Sequence, residues 1–231
     1  MKILVIDTSC KTSMAALAEN GNVISSIALN DNKTHSVKML PSIEYIFEAS
    51  GITPKELDAV AVTNGPGSYT GLRIGVTTAK TFAYTLQKPL IGINTLDALS
   101  ASCEPQSDDT LVCPLIDARN ARVYAAIYKN GNILQDTQAM DCATLCENLK
   151  EIESSRIVFT GDGALKNKQL IADILGERAV FVPTEMSLGS PAAFAYVAAK
   201  KIDEIIQNGT LNEYTAESLK VNYYKNYTDS I

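Results

Sequence analysis

The chain has 231 residues, of which 46% are apolar and 20% charged, so it can bury a sizeable core and is not of disordered composition. Its net charge of -6 leaves no general electrostatic hold on a phosphate backbone. In the opening MKILVIDTSC, Asp7 interrupts the apolar run before it reaches signal-peptide length, and no stretch approaches the ~18 apolar residues of a membrane span. These features predict a cytoplasmic protein with no membrane contact.

In chain order, apolar runs predict strands at Ile3–Ile6, Met14–Ala18 and Val23–Leu29, with the NGN turn between the last two. A helix follows from His35, carries Pro41 inside it, and stops at Gly51. Ala59–Thr63 is a strand ending in NGPGSYTG, which opens a long helix over about 69–87. A strand at Leu90–Ile93 and a short helix at Leu96–Ser102 complete the first half. The polar EPQSDD segment, Glu104–Asp109, is the expected domain boundary.

The second half opens with three β-rich segments, LVCPLIDAR, RVYAAIYKNGN and ILQDTQAM. A helix at Cys142–Ile152 and a strand at Arg156–Phe159 lead into TGDG. A helix at Asn167–Leu175, a strand at Val180–Val182 and a long helix at Pro191–Gln207 follow. A last helical segment is expected at Asn212–Val221.

The halves repeat each other. IDTSCKTSMAALAENGNVI from Ile6 aligns without a gap to IDARNARVYAAIYKNGNIL from Ile116, matching Asp7 to Asp117 and the NGN at Asn20 to that at Asn130. Turn chemistry alone could match two hairpins, but the ungapped aspartate-to-turn spacing favours duplication. The expected architecture is α/β with two βββαβαβα ribonuclease H-like domains, the actin-like (ASKHA) plan. One domain spans 1–103, with 212–231 packing back on it, and the other spans 109–211.

Several patterns bear on chemistry. Cys142 and Cys146 stand one helical turn apart but have no second Cys or His pair nearby, so the five cysteines are expected to be free thiols and no metal site is expected. Asp7, Thr8, Ser9 and Thr12 have the makeup of a phosphate-contacting turn, although Asp-x-Ser after a strand is also ordinary turn chemistry. Gly71, Gly75, Ala79 and Ala83, four apart, form one stripe along a helix. Such a stripe needs a close neighbour to offset its poor helix propensity. That neighbour is either the helix from His35 or a partner subunit. Met39, Ile43 and Ile46 on the first helix belong to an apolar arc wide enough for the same choice.

GPGSYTGLRIGVTTAKTFA from Gly65, with VIDTS, HSVKMLP, NTLDALSA and IDARNARVYAAIY in this order, resembles the TsaB (YeaZ) family over about the first 130 residues. It is more distantly similar to the paralogous TsaD, or glycoprotease-like, proteins. One departure is Arg122, where glutamate is the commoner residue.

The resemblance implies a non-catalytic subunit required for N6-threonylcarbamoyladenosine at position 37 of tRNA, heterodimerising with a TsaD-like catalytic subunit. Helices of its N-terminal domain would join the partner's helices in a bundle. This places Met39, Ile43, Ile46, Gly71, Gly75, Ala79 and Ala83 at the interface. It also implies a TsaE-like ATPase as a further partner, tRNA contact through the complex only, and no tightly bound cofactor; a monomer or a homodimer when alone, and ATP or ADP held or not held at a subunit interface of the complex, are both left open by the sequence. TsaD carries a metal-binding histidine pair in a segment like NHxxGH. The matching segment here, Asn94–Leu99, has Thr95 and Leu99 at the two histidine positions, so the transfer chemistry is expected to be absent. The alternative is an autonomous actin-like ATPase or kinase using Asp7 and Asp117. Against it, the loop ARNAR after Asp117 lacks the glycine and hydroxyl content of a second phosphate loop.

Overall fold

The structure is a computed structural model and describes residues 1–31, 34–103, 107–184 and 186–224. It divides into two compact units. Unit 1 is Met1–Ala98 with Ser190–Asn222, and unit 2 is Leu99–Gly189, joined by Tyr223 and Tyr224.

Unit 1 runs β1 (Lys2–Asp7), β2 (Ser13–Glu19), β3 (Asn22–Leu29), α1 (His35–Ser50), β4 (Ala59–Gly65), α2 (Tyr69–Leu86), β5 (Leu90–Asn94) and α3 (Thr95–Ala101), whose last turn crosses into unit 2. Unit 2 repeats the scheme with β6 (Thr110–Arg119), β7 (Arg122–Lys129), β8 (Asn132–Asp141), α4 (Cys142–Lys150), β9 (Arg156–Thr160), α5 (Asp162–Lys166), α6 (Lys168–Leu175) and β10 (Ala179–Phe181). Its sheet order β8-β7-β6-β9-β10 reproduces β3-β2-β1-β4-β5 of unit 1 strand for strand. In both sheets the first three strands are antiparallel, and the first, fourth and fifth are parallel.

The repeated NGN turns explain part of this likeness. Asn20-Gly21 and Asn130-Gly131 all take positive φ, the geometry that a two-residue turn between right-twisted strands requires. Helix α1 passes through Pro41 unbroken and ends on Gly51 in the left-handed conformation, whose amide returns to the Glu48 carbonyl. None of the five cysteines forms a disulfide. No helix of the described residues is long and apolar enough to cross a membrane.

The structure redraws the domain boundaries. α7 (Pro191–Gln207), expected in the second domain, packs on the first sheet. The reason lies in β1 and β4, which are apolar on both faces and need two covering layers. α1 and α2 cover the face carrying Leu4, Ile6, Val60 and Val62. Phe194, Ala195, Ala198, Ile202 and Ile205 of α7 cover the face carrying Ile3, Val5, Ala59 and Ala61.

The helix expected at Asn212–Val221 is absent. A single 3-10 turn at Leu211–Glu213 gives way to irregular chain. There Thr215 and Ser218 hydrogen-bond each other's backbone amides and Ser218 Oγ reaches the Glu213 carbonyl, which replaces the helical pattern. The segment lies on unit 1. The Leu90 amide donates to the Tyr214 carbonyl at 2.9 Å, and the Asn222 amide to the Asn64 carbonyl at 2.7 Å. It thereby covers the β5 edge. Residues 104–106 of the expected boundary and 225–231 of the terminal segment lie outside the described residues.

Candidate protein-docking face

The small-residue stripe does not face outward. Gly71, Gly75, Ala79 and Ala83 are all buried in unit 1. A Cβ on Gly71 would sit 2.1 Å from the Thr8 carbonyl oxygen, and one on Gly75 would sit 2.3 Å from Thr8 Oγ1. For the two glycines the close neighbour is therefore Thr8, just past the end of β1, while Ala79 and Ala83 share the core that includes Met39, Ile43 and Ile46 of α1. Met39, Ile43 and Ile46 are likewise core residues, at most 1% exposed. Interface contact through these seven residues is corrected accordingly: the tight packing fastens α1 and α2 to their own sheet.

The residues read as a phosphate-contacting turn are also inward. Asp7, Thr8, Ser9 and Thr12 are buried. Asp7 Oδ1 accepts from the Ser9 amide at 3.0 Å and from the Thr63 hydroxyl. Thr8 Oγ1 donates to the Gly71 carbonyl at 2.7 Å. Gly67 presses on Ser9 so closely that a Cβ there would lie 2.5 Å from the Ser9 carbonyl oxygen. Thr8 and Ser9 are thus engaged by α2 and the loop before it, Asp7 is held by Ser9 and Thr63, and Thr12 Oγ1 is buried without a hydrogen-bond partner among the described residues.

Burial, the dominant influence, pushes the Asp7 carboxyl above its ordinary value of 3.8, against the opposing pull of hydrogen bonds from Ser9 and Thr63 and of nearby His35. The native state then keeps this proton to higher pH than the unfolded chain does. The contribution of Asp7 to stability is fully present below 3.8 and is lost as pH rises through the raised native value. Asp7→Asn retains an acceptor and does not titrate. Its stability relative to the wild type should therefore climb from about pH 4 upward and then level off. Paired thermal melts across that range measure this, and a flat difference would contradict it.

What α1 and α2 present outward is different. Val37 and Leu40 on α1 are 63% and 58% exposed, and Tyr69 on α2 is 49% exposed. Between the helices lies a groove of about 470 Å³ lined by Leu40, Tyr69, Arg73, Ile74 and Thr77, with Met39 in its floor. The Arg73 guanidinium stacks on the Tyr69 ring, 4.0 Å from its centroid. Sequence reasoning missed this face because it followed the small residues inward. A usable signal was present: α2 has 18 residues with only Arg73 and Lys80 charged, and its outward positions are largely Thr and Tyr. Apolar and aromatic residues with few charges are the composition of a surface that another protein covers.

Two further positions bear on chemistry. On α3, Thr95 and Leu99 are both buried, one turn apart, and a leucine has no donor atom for a metal. In unit 2, Asp117 Oδ2 pairs with Lys166 Nζ at 2.7 Å, and Oδ1 accepts the Arg119 amide at 2.9 Å. The carboxylate is engaged by its own chain. ARNAR closes as a tight turn with positive φ at Arg119, Asn120 and Ala121.

Residues 22–226 match the family described as TsaD: tRNA N6-adenosine threonylcarbamoyltransferase. The chain is 34% identical over 206 residues to the Bacillus subtilis tRNA threonylcarbamoyladenosine biosynthesis protein TsaB, spanning 87% of this chain and 88% of that one. YeaZ from Pseudomonas aeruginosa superposes with a TM-score of 0.73 at 22% identity, over 96% of this chain and 99% of that one. Component A of the Acidaminococcus fermentans (R)-2-hydroxyglutaryl-CoA dehydratase superposes at 0.54 with 11% identity, over 88% and 99% of the two chains. These structural likenesses concern the fold, which is the actin-like one with two ribonuclease H-like units. The chain belongs to the TsaB (YeaZ) family, paralogous to TsaD.

Proposed function

We propose that this protein serves tRNA N6-threonylcarbamoyladenosine formation as a non-catalytic subunit, docking through the outer faces of α1 and α2 on a TsaD-like catalytic subunit. The observation that carries the reading is the exposed, sparsely charged face around Leu40, Tyr69 and Thr77, on a chain of the TsaB family. Thr95 and Leu99 at the positions of the TsaD histidine pair support a subunit that leaves the metal chemistry to its partner. So do Asp7 and Asp117, whose carboxylates are held by the chain's own groups. A TsaE-like ATPase is the further partner of the assembly. With a net charge of -6, the chain meets tRNA only through that assembly.

Leu40→Asp tests the docking face. Leu40 is exposed, so the substitution should leave the stability of the isolated chain within about 1 kcal/mol. A carboxylate buried without a partner in an apolar contact should weaken binding to the purified TsaD-like subunit roughly 30-fold or more. Titration calorimetry reads the difference. Unchanged affinity would remove this face from the interface.

A further inference from the structure

Three consecutive residues at the end of β1 hold the N-terminal ends of both helices of the docking face. Thr8 Oγ1 donates to the Gly71 carbonyl in the first turn of α2 at 2.7 Å. The Ser9 carbonyl accepts the amide of Ser68, the N-cap of α2, also at 2.7 Å. The Cys10 carbonyl lies 2.9 Å from His35 Nε2, on the first residue of α1. A carbonyl oxygen only accepts, so the proton sits on Nε2. His35 Nδ1 is buried with no partner, which leaves the Nε2 bond as the polar anchor of the ring. α1 has no side-chain hydrogen bond at its N-cap, Thr34. The chain's one histidine is therefore what ties this end of α1 to the loop by a side chain.

The contact is also close. Gly67 and Gly71 approach the loop so tightly that a Cβ on either would fall within 2.5 Å of a carbonyl oxygen of Ser9 or Thr8. The groove begins at these pinned ends: Ser36 follows His35, and Tyr69 and Thr70 follow Ser68.

We propose that Thr8–Cys10 is a bracket that sets the spacing of α1 and α2, and that His35 and Thr8 are positioning residues for partner docking. This deepens the docking reading and rests on it. The residue types resemble a phosphate turn, but their hydrogen bonds run to the two helices. Hydrogen-bond geometry, rather than apolar packing alone, would fix the width of the groove where Leu40, Tyr69 and Arg73 meet a partner.

The test is affinity for the TsaD-like subunit, with conservative rescue. His35→Leu and Thr8→Val each remove one bond while keeping much of the volume, and each should weaken binding about 10-fold, or ~1.4 kcal/mol. His35→Gln and Thr8→Ser keep a donor and should stay within about 2-fold of the wild type. Two positions that act on different helices, His35 on α1 and Thr8 through its bond to α2, keep the test decisive if one variant fails to fold. Ile202→Ala, in the core under α7, controls for general destabilisation and should lower the melting temperature without changing affinity. Wild-type affinity in both His35→Leu and Thr8→Val would overturn the bracket, as would an equal loss in Ile202→Ala. Normal binding by Leu40→Asp would instead refute the docking reading, and the bracket's role with it.

Discussion

Gly75→Leu is expected to cost unit 1 several kcal/mol of stability, and in a marginal background to unfold it. A Cβ at this position lies 2.3 Å from Thr8 Oγ1 and 3.6 Å from Val62 Cγ2. The branched carbons of leucine would have to occupy space already filled by β1 and β4. Thr8 cannot swing away freely, because its hydroxyl is buried and donates to Gly71. Overpacking of this kind costs about 1–3 kcal/mol, occasionally more. Displacing Thr8 strands a buried hydroxyl for a further ~1–3 kcal/mol. The gain in helix propensity is under about 1 kcal/mol and does not offset these terms. The net loss is several of the roughly 5–15 kcal/mol that hold a domain folded. Urea denaturation checks it, with Thr77→Leu on the exposed side of α2 as a tolerated control. A Gly75→Leu protein as stable as the wild type would mean that the stripe is open. That is the result a surface-facing stripe would give, and the geometry around Thr8 argues against it.

The contrast between Gly75 and Leu40 shows what was legible in the sequence. The ungapped match of Asp7 to Asp117 and of the two NGN turns revealed the duplicated fold, because turn chemistry and strand length act locally. Helix periodicity likewise located α1 and α2. It could not say which side of a wide apolar arc meets the sheet, since Met39 and Leu40 are equally apolar and only tertiary packing separates 1% from 58% exposure. The stripe signalled a close neighbour correctly, but a backbone neighbour such as the Thr8 carbonyl carries no side-chain signature.

α7 was misassigned because chain order suggests membership of the nearest domain, whereas burial demand decides it. The two-sided apolar character of β1 and β4 was the available clue. Asn212–Val221 has helical composition. Thr215 and Ser218 there bond to the backbone, and the chain instead covers the edge of β5.

In the proposed function this chain supports threonylcarbamoyl transfer without performing it. The resemblance to TsaD implies a metal-binding histidine pair in that paralogue, and the matching positions here, Thr95 and Leu99, are both buried on α3. The chain's one histidine, His35, is held at the end of α1 instead. The effect on activity should therefore be close to all-or-none. The most direct measurement is reconstitution from purified components, following transfer of the threonylcarbamoyl group to tRNA. This chain alone should give no transfer, and adding it to the TsaD-like subunit and the other components should raise transfer by orders of magnitude over the same mixture without it. Transfer by this chain alone, or full transfer in its absence, would contradict the account.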